Sequence, residues 1–97
     1  MSWFCYIIRC KNGSLYTGVT HNLKRRFKDH QRGKGAKHTF KYKPVKILWF
    51  EEFPDRVSAL KREKEIKGWR REKKWELVRQ FKKGPSEIIV SSGRKNE

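Results

Sequence analysis

The first apolar segment of the chain, Trp3 to Ile8, is hydrophobic at both its odd and its even positions. Neighbouring side chains of an extended strand point to opposite faces, so this strand must be covered on both sides. A small chain can provide that cover only where the strand lies in the middle of its sheet. The segment is therefore predicted to be the central strand, with the other elements arranged around it.

A turn signal, Lys11-Asn12-Gly13, follows this strand and indicates a β-hairpin. A two-residue Asn-Gly loop would place Tyr6 and Tyr16 on opposite faces of the sheet. A three-residue loop, with its glycine in the left-handed region, pairs Tyr6 with Gly18 and brings both tyrosines to one face. We favour the three-residue loop, because the glycine then leaves room above the sheet beside the two phenol rings.

The rest of the chain predicts one more strand and three helices, joined by turn residues. The expected elements are a helix over about 23–32, a basic loop over 33–44, a strand over about 45–53, and helices over about 56–67 and 70–82. Asn22 is expected to cap the first helix and Asp55 the second. The order β-β-α-β-α-α describes a three-stranded, mainly antiparallel sheet with helices packed on it, so the fold class is α+β. Residues 1–83 are expected to form one domain and residues 84–97 a disordered tail.

Two predicted helices carry charged residues on faces that otherwise point to the core. Arg26 shares the inner face of the first helix with Leu23, Phe27 and His30. Glu63 interrupts the apolar stripe of a later helix, where a carboxylate is costly to bury unless a cation pairs with it. The expected partner of Glu63 is a side-chain cation or a phosphate-bound metal.

Basic residues exceed acidic ones by 26 to 10, which gives a formal net charge of +16. Residues 22–46 hold ten of these bases and a single acid, Asp29. Such an excess indicates a polyanionic partner, and nucleic acid is the most common one. No apolar run approaches the roughly 20 residues of a membrane span. We therefore expect a cytoplasmic protein that binds nucleic acid and no membrane.

The two cysteines, Cys5 and Cys10, lie five residues apart in one predicted strand. Their Cα atoms would be roughly 17 Å apart, which is too far for a disulfide. They are expected to be two buried or half-buried free thiols. The chain also has no Cys-x-x-Cys or His-x-x-x-His pair of the kind that binds zinc.

The polar residues on these inner faces match the needs of phosphodiester hydrolysis. A water must be deprotonated and the charge on the phosphate must be stabilised. A tyrosine is a poor base at its free pKa of about 10, although a nearby cation can lower that pKa. Arginine can hold two phosphate oxygens, and glutamate is a hard ligand for Mg²⁺ or Mn²⁺. The candidate catalytic residues are Tyr6, Tyr16, Arg26, His30 and Glu63.

Three segments resemble the GIY-YIG nuclease domain: Phe4-Cys5-Tyr6, Tyr16-Thr17-Gly18, and the run from Asn22 to His30. Ala59 to Glu63 resembles the metal-binding helix of that family, and the resemblance covers about residues 2–82. It is closest to the small single-domain bacterial members and to the amino-terminal part of the excision-repair incision subunit. The first triplet keeps only its tyrosine. Family members often have an asparagine after the helix that carries the glutamate, and none lies between Glu63 and Lys83 in this chain.

The resemblance implies a role for each matching residue. Tyr6 would be the general base, Tyr16 would orient the water or Tyr6, and Arg26 would contact the scissile phosphate. His30 would assist there, and Glu63 would be the single ligand of one Mg²⁺ or Mn²⁺ ion. The expected substrate-binding residues are Gly18, Lys24, Arg25, Lys34, Lys37 and Lys41.

The function expected from these features is metal-dependent hydrolysis of DNA, directed by structure rather than by sequence and linked to DNA repair. A protein partner could supply specificity, and the oligomeric state stays open. One alternative is a protein of the same fold that binds nucleic acid and no longer cleaves it. Another is a small RNA-binding protein in which His38, Phe40 and Tyr42 stack on unpaired bases.

Overall fold

The structure is a computed structural model that describes residues 2–81. Its elements in chain order are β1 (Trp3–Cys10), β2 (Leu15–Thr20), α1 (Leu23–Gln31), α2 (Lys37–Tyr42), β3 (Pro44–Phe53), α3 (Arg56–Lys67) and α4 (Arg71–Arg79). The predicted α+β class and element order are confirmed, with the short helix α2 added between α1 and β3. The tail predicted over 84–97 lies outside the described residues.

The sheet has the strand order β2-β1-β3, and both strand pairs are antiparallel. The first strand is therefore central, as its two apolar faces predicted. Cys5, Ile7 and Ile8 on this strand have no exposed surface. Each face of β1 is covered by its own set of helices, because a strand that is apolar on both sides needs two packed layers.

The turn between β1 and β2 is the three-residue loop that we predicted. The Cys10 N–H donates to the Ser14 carbonyl over 2.9 Å, and Gly13 has a φ of 86°. The resulting register pairs Tyr6 with Gly18 and Ile8 with Tyr16. Both tyrosines consequently lie on the same face of the sheet.

Each face of the sheet has its own hydrophobic cluster. Helix α1 covers the face that carries Tyr6 and Tyr16, and its residues Leu23 and Phe27 are buried there. Helices α3 and α4 cover the opposite face, where Ile66 packs against Cys5, Ile7 and Trp49. The two cysteines belong to different clusters and both are free thiols, as expected.

The predicted caps of α1 and α3 are confirmed. The Asn22 side chain accepts a hydrogen bond from the Arg25 N–H over 3.0 Å, and Asp55 accepts one from the Ser58 N–H over 2.8 Å. Each such cap stabilises its helix by about 1 kcal/mol. Helix α4 is shorter than predicted, and none of its residues is fully buried, although Leu77 and Val78 pack on the α3 side of the sheet.

The segment expected to be a loop over 33–44 contains helix α2, so that prediction was wrong for residues 37–42. The Thr39 hydroxyl donates to the Ala36 carbonyl over 3.1 Å, and the side chain of Thr39 is fully buried. Lys43, with a φ of 50°, ends the helix just before Pro44. A helix of six residues is too short to be stable alone, so contacts with the rest of the fold must hold it.

Within the part of the chain that is described, no helix combines the length and the hydropathy that crossing a bilayer requires.

Candidate active site

The hydroxyl of Tyr6 lies 2.9 Å from Nε2 of His30, and both side chains are buried. Tyr6 comes from the central strand and His30 from the last turn of α1. This hydrogen bond lies beneath α1, at the centre of the predicted site. Two of the five candidate catalytic residues are thus in direct contact.

The other ring nitrogen of His30 is bonded as well. Nδ1 lies 2.6 Å from Oγ1 of Thr39, and Thr39 bonds the Ala36 carbonyl. The backbone of Gly35 lies against the same ring, since a Cβ at this glycine would be only 2.1 Å from Nδ1. The imidazole is therefore held on both nitrogens and on one face, and it has no exposed surface.

Burial shifts the pKa values of both partners in the directions that favour the neutral side chains. The pKa of Tyr6 is raised well above 10, mainly by burial, and the nearby Tyr16 and Glu63 act in the same direction. The Arg26 guanidinium opposes this rise without cancelling it. The pKa of His30 is lowered to about 4, first by burial and then by Arg26. At neutral pH the phenol of Tyr6 is therefore protonated, although Arg26 lowers its pKa in part.

Tyr16 lies beside this pair and completes an aromatic cluster. Its ring centroid is 6.4 Å from that of Tyr6 and 5.2 Å from that of His30. The imidazole of His38 lies 5.9 Å away on another side, and its Nε2 is 2.8 Å from Oγ of Ser14. Tyr16 thus joins the two histidine-bearing helices above the sheet.

Gly18 lies directly beneath the two tyrosine rings. It is buried, and a Cβ there would lie 2.5 Å from the Tyr6 hydroxyl and 3.0 Å from Cε2 of Tyr16. The missing side chain makes room for the two phenol rings. Gly18 therefore lets the tyrosine rings approach the strand, and its role toward a substrate stays a prediction.

Arg26 lies at the solvent side of the Tyr6–His30 pair. Its side chain is 35% exposed and its Nη1 is 4.0 Å from the Asp29 carboxylate. Its charge acts on the pKa of both Tyr6 and His30. A long exposed ion pair of this kind contributes little to stability, so the guanidinium can turn to an incoming phosphate.

A cleft of about 330 Å³ opens beside Arg26 at the start of α1. Its lining includes Trp3, His21, Asn22 and Arg25. The cleft therefore joins an aromatic side chain to two guanidinium groups. This surface extends the site toward the N-terminus of α1.

Glu63 approaches the site from the other side of the sheet. It lies on α3, which packs on the face opposite to α1, and its side chain is 19% exposed. Its Oε2 forms a salt bridge of 3.2 Å with Nζ of Lys67. That ammonium lies 5.8 Å from the ring centroid of Tyr16, so the pair reaches around the free edge of β2.

The five candidate catalytic residues therefore reach this region from two sides of the sheet. Tyr6, Tyr16, Arg26 and His30 converge on one face of the sheet, whereas Glu63 comes from the opposite face. The charge of Glu63 still contributes to the raised pKa values of Tyr6 and of Cys5, and burial is the main cause of the Cys5 pKa of about 12. Among residues 2–81, no cluster of three or more His, Cys, Asp or Glu side chains could hold a metal.

The predicted substrate-binding side chains, apart from Gly18, are exposed. They are Lys24 and Arg25 on α1, Lys34 in the following turn, and Lys37 and Lys41 on α2. Of the three side chains considered for base stacking, Phe40 is 60% exposed. His38 and Tyr42 are partly buried, with ring centroids 5.3 Å apart.

Sequence reasoning missed Gly35, Thr39 and Lys67 as members of the site. The first two were assigned to a loop, and nothing in their spacing indicated a contact with His30. Lys67 lies four residues after Glu63, a spacing at which surface ion pairs are common on helices. Its position over Tyr16 depends on how α3 packs against β2.

Residues 2–76 match the family model described as the GIY-YIG catalytic domain. The UPF0213 protein HQ_3675A of Haloquadratum walsbyi is 47% identical over 75 residues, which cover 77% of this chain and 84% of that protein. A UPF0213 protein of Staphylococcus aureus is 43% identical over 79 residues, covering 81% of this chain and 96% of that protein.

Among solved structures, the solution NMR structure of the UPF0213 protein BH0048 from Bacillus halodurans is similar to this chain. The two share 39% sequence identity with a TM-score of 0.57, and the match covers 98% of this chain and 100% of that one. The family match includes all five candidate catalytic residues and nearly all of the described fold. The chain therefore belongs to the GIY-YIG family, a nuclease-type family.

Proposed function

We propose that this protein is a metal-dependent endonuclease that hydrolyses DNA phosphodiester bonds. The observation that carries this proposal is the buried hydrogen bond of 2.9 Å between the Tyr6 hydroxyl and Nε2 of His30, beside Arg26. A phenol bonded to a neutral imidazole is suited to moving a proton, and a guanidinium is suited to binding phosphate oxygens. These are the two functions that phosphodiester hydrolysis most needs from side chains.

Tyr6 and His30 act as successive acceptors of a proton. Because the pKa of Tyr6 is raised, the phenol is neutral and must lose its own proton when it accepts one. Nε2 of His30 takes the phenol proton while the phenol oxygen takes a proton from the attacking water. The water oxygen bonds to phosphorus, the bond from phosphorus to the leaving oxygen breaks, and the leaving oxygen takes its electron pair and then a proton from solvent water.

The shifted pKa of His30, about 4, keeps the imidazole neutral and able to accept a proton at neutral pH. Arg26 is one cause of this low value, because its positive charge disfavours the imidazolium. A phosphate bound to the guanidinium brings a negative charge that offsets this effect. Substrate binding therefore makes His30 a stronger base at the moment when the base is needed.

Glu63 is proposed to hold one Mg²⁺ or Mn²⁺ ion, and the structure supports its suitability for a cation. The half-buried carboxylate already binds the ammonium of Lys67 over 3.2 Å, so this position attracts positive charge. A single carboxylate, with water and phosphate oxygens in the other positions, is a common set for Mg²⁺. When bound, the ion supplies charge compensation at the phosphate and the leaving oxygen.

The substrate is proposed to be DNA that is selected by its structure rather than by its sequence. The exposed lysines and arginines of α1 and α2 attract phosphates whatever the bases are. The cleft beside Arg26 continues this surface and carries Trp3, on which an unpaired base can stack. A role in DNA repair in the cytoplasm, with a protein partner that adds specificity, fits such a substrate.

The proposal is tested by incubating the protein with single-stranded, nicked, flapped and duplex DNA in Mg²⁺ or Mn²⁺. Tyr6→Phe and Glu63→Gln should each lower cleavage by about 100-fold or more while DNA binding is kept. Glu76→Gln, at an exposed position of α4, is the matched control and should cleave like the wild type. Equal cleavage by the wild type and Glu63→Gln would refute the proposed metal role.

One observation favours the second candidate function, which is DNA or RNA binding without cleavage. The Glu63–Lys67 salt bridge occupies one oxygen of the proposed metal ligand. If no DNA in the panel is cleaved in either metal but binding falls steeply with salt, the binding function is the correct one. Affinities for RNA and DNA at matched salt then decide between the two nucleic acids.

A further inference from the structure

We propose that Thr39 is a positioning residue whose hydroxyl holds His30 in the Nδ1–H tautomer, which leaves Nε2 free to receive the proton of Tyr6. The consequence for rate rests on the proposed nuclease function, whereas the tautomer itself does not. Four buried or half-buried groups form one continuous series of hydrogen bonds: the Ala36 carbonyl, Thr39, His30 and Tyr6.

The direction of these hydrogen bonds follows from counting protons. A threonine hydroxyl has one proton, and a carbonyl oxygen can only accept. The Thr39 hydroxyl donates to the Ala36 carbonyl over 3.1 Å, so Oγ1 is the acceptor in its contact of 2.6 Å with His30. Nδ1 of His30 must then carry the proton. A neutral imidazole has only one N–H, so Nε2 has none.

The other end of the chain requires the same direction. Tyr6 is neutral, and its hydroxyl is buried, so its proton needs an acceptor. Nε2 of His30, 2.9 Å away, is an acceptor for this proton, whereas the nearby Arg26 guanidinium can only donate. The opposite tautomer would place an N–H against the phenol oxygen and leave the phenol proton without that acceptor. Both ends of the chain therefore select Nδ1–H.

The segment that carries Thr39 packs closely against the imidazole of His30. Gly35 has no side chain where a Cβ would lie 2.1 Å from Nδ1, so its backbone closes over the ring. Thr39 and His30 both have no exposed surface, which excludes water as a competing partner of Nδ1. Helix α2, which looked like a basic loop in the sequence, thus serves as the support of a histidine on the neighbouring helix.

The charged and titratable groups around His30 come from three elements. Arg26 and Asp29 lie on its own helix, Tyr6 on β1 and Tyr16 on β2. The hydroxyl of Thr39, on α2, does not titrate. When Nε2 receives the phenol proton, the Nδ1–H bond to Thr39 is kept and no group needs to rotate.

The experiment is NMR of the full chain with ¹⁵N-labelled histidines, which distinguishes a protonated from an unprotonated ring nitrogen. His30 should be protonated at Nδ1 in the wild type and in Thr39→Ser, which keeps the hydroxyl. Thr39→Val removes it without changing the side-chain shape and should produce the Nε2–H tautomer or a mixture. Thr17→Val is the matched control, because Thr17 is equally buried and its hydroxyl has no hydrogen-bond partner among the described residues.

Cleavage and its pH profile provide the second measurement. Thr39→Val should cleave about 10- to 100-fold more slowly with a changed pH profile, and Thr39→Ser and Thr17→Val should keep the wild-type profile. An Nε2–H tautomer in the wild type, or an unchanged tautomer in Thr39→Val, would overturn the inference. Should Thr39→Val fail to fold, the wild-type and Thr39→Ser spectra still decide it. A protein that never cleaves DNA would refute the nuclease proposal and leave the tautomer result standing.

Discussion

Replacing Gly18 by alanine tests whether the space above this residue belongs to Tyr6 or to a substrate. The added Cβ would lie 2.5 Å from the Tyr6 hydroxyl and 2.7 Å from its Cζ. Ordinary contacts between such atoms are at about 3.5 Å or more, so the phenol must move by about 1 Å. Tyr6 is 2% exposed, and its ring has packed neighbours on all sides.

The cost of this displacement has two parts. Forcing an extra methyl group into a packed core costs about 1–3 kcal/mol. Moving the phenol by about 1 Å also stretches its bond to His30, which contributes about 1 kcal/mol. We therefore expect Gly18→Ala to lower the free energy of unfolding by about 2–4 kcal/mol. For a domain of this size the melting temperature should fall by on the order of 10–20 °C.

Thermal and urea unfolding followed by circular dichroism measure this loss. Gly68→Ala is the control, because a Cβ there meets nothing closer than 3.5 Å and the change should be neutral or stabilising by up to about 1 kcal/mol. Tyr6→Phe should reduce the cost of Gly18→Ala, since it removes the nearest atom. An alanine at position 18 that leaves stability unchanged would refute the view that Tyr6 fills this space.

Three further predictions concern titration, cation binding and thiol reactivity. The pKa of His30 is lowered from 6.5 to about 4 in the folded protein. The stability that depends on a neutral His30 is therefore fully present above pH 6.5 and is lost as the pH falls toward 4. This loss amounts to about 3 kcal/mol of unfolding free energy. His30→Gln should remove this pH dependence of the unfolding free energy, whereas His21→Gln, at an exposed position, should keep it. Lys67→Met removes the ammonium from Glu63 and should tighten Mn²⁺ binding severalfold, measured by paramagnetic broadening of NMR signals; weaker binding would show that Lys67 supports the site. Cys5 is buried with a pKa raised to about 12, and Cys10 is also buried with a raised pKa, so both thiols should resist alkylation at pH 8 until the protein unfolds; rapid labelling of the native protein would contradict the packing.

Local patterns were sufficient to predict the hairpin, the caps and the inner face of α1. The register that brings Tyr6 opposite Gly18 follows from strand alternation and from a glycine with positive φ in the turn. Asn22 and Asp55 cap their helices through bonds to residues three positions away. These interactions join residues that are close in the sequence, so the local order of side chains is enough to predict them.

The environment of His30 could not be predicted in this way. Helix α2 has six residues and no side-chain cap bond at its N-terminus, so its own sequence does not stabilise it. It forms because Thr39 bonds His30 and because Gly35 lets the backbone approach the ring. Those contacts join two helices and exist only after both have packed on the sheet.

The sequence by itself determined which residues could take part in chemistry and which of them share a face of the sheet. Its excess of positive charge also predicts a polyanionic partner. Only the tertiary structure decided that Tyr6 is neutral and bonded to His30, and that Glu63 reaches the site around the edge of β2 from the opposite face. The physical reason is that burial and the packing of helices against a sheet set pKa values and the direction of approach, and neither can be read from spacing along the chain.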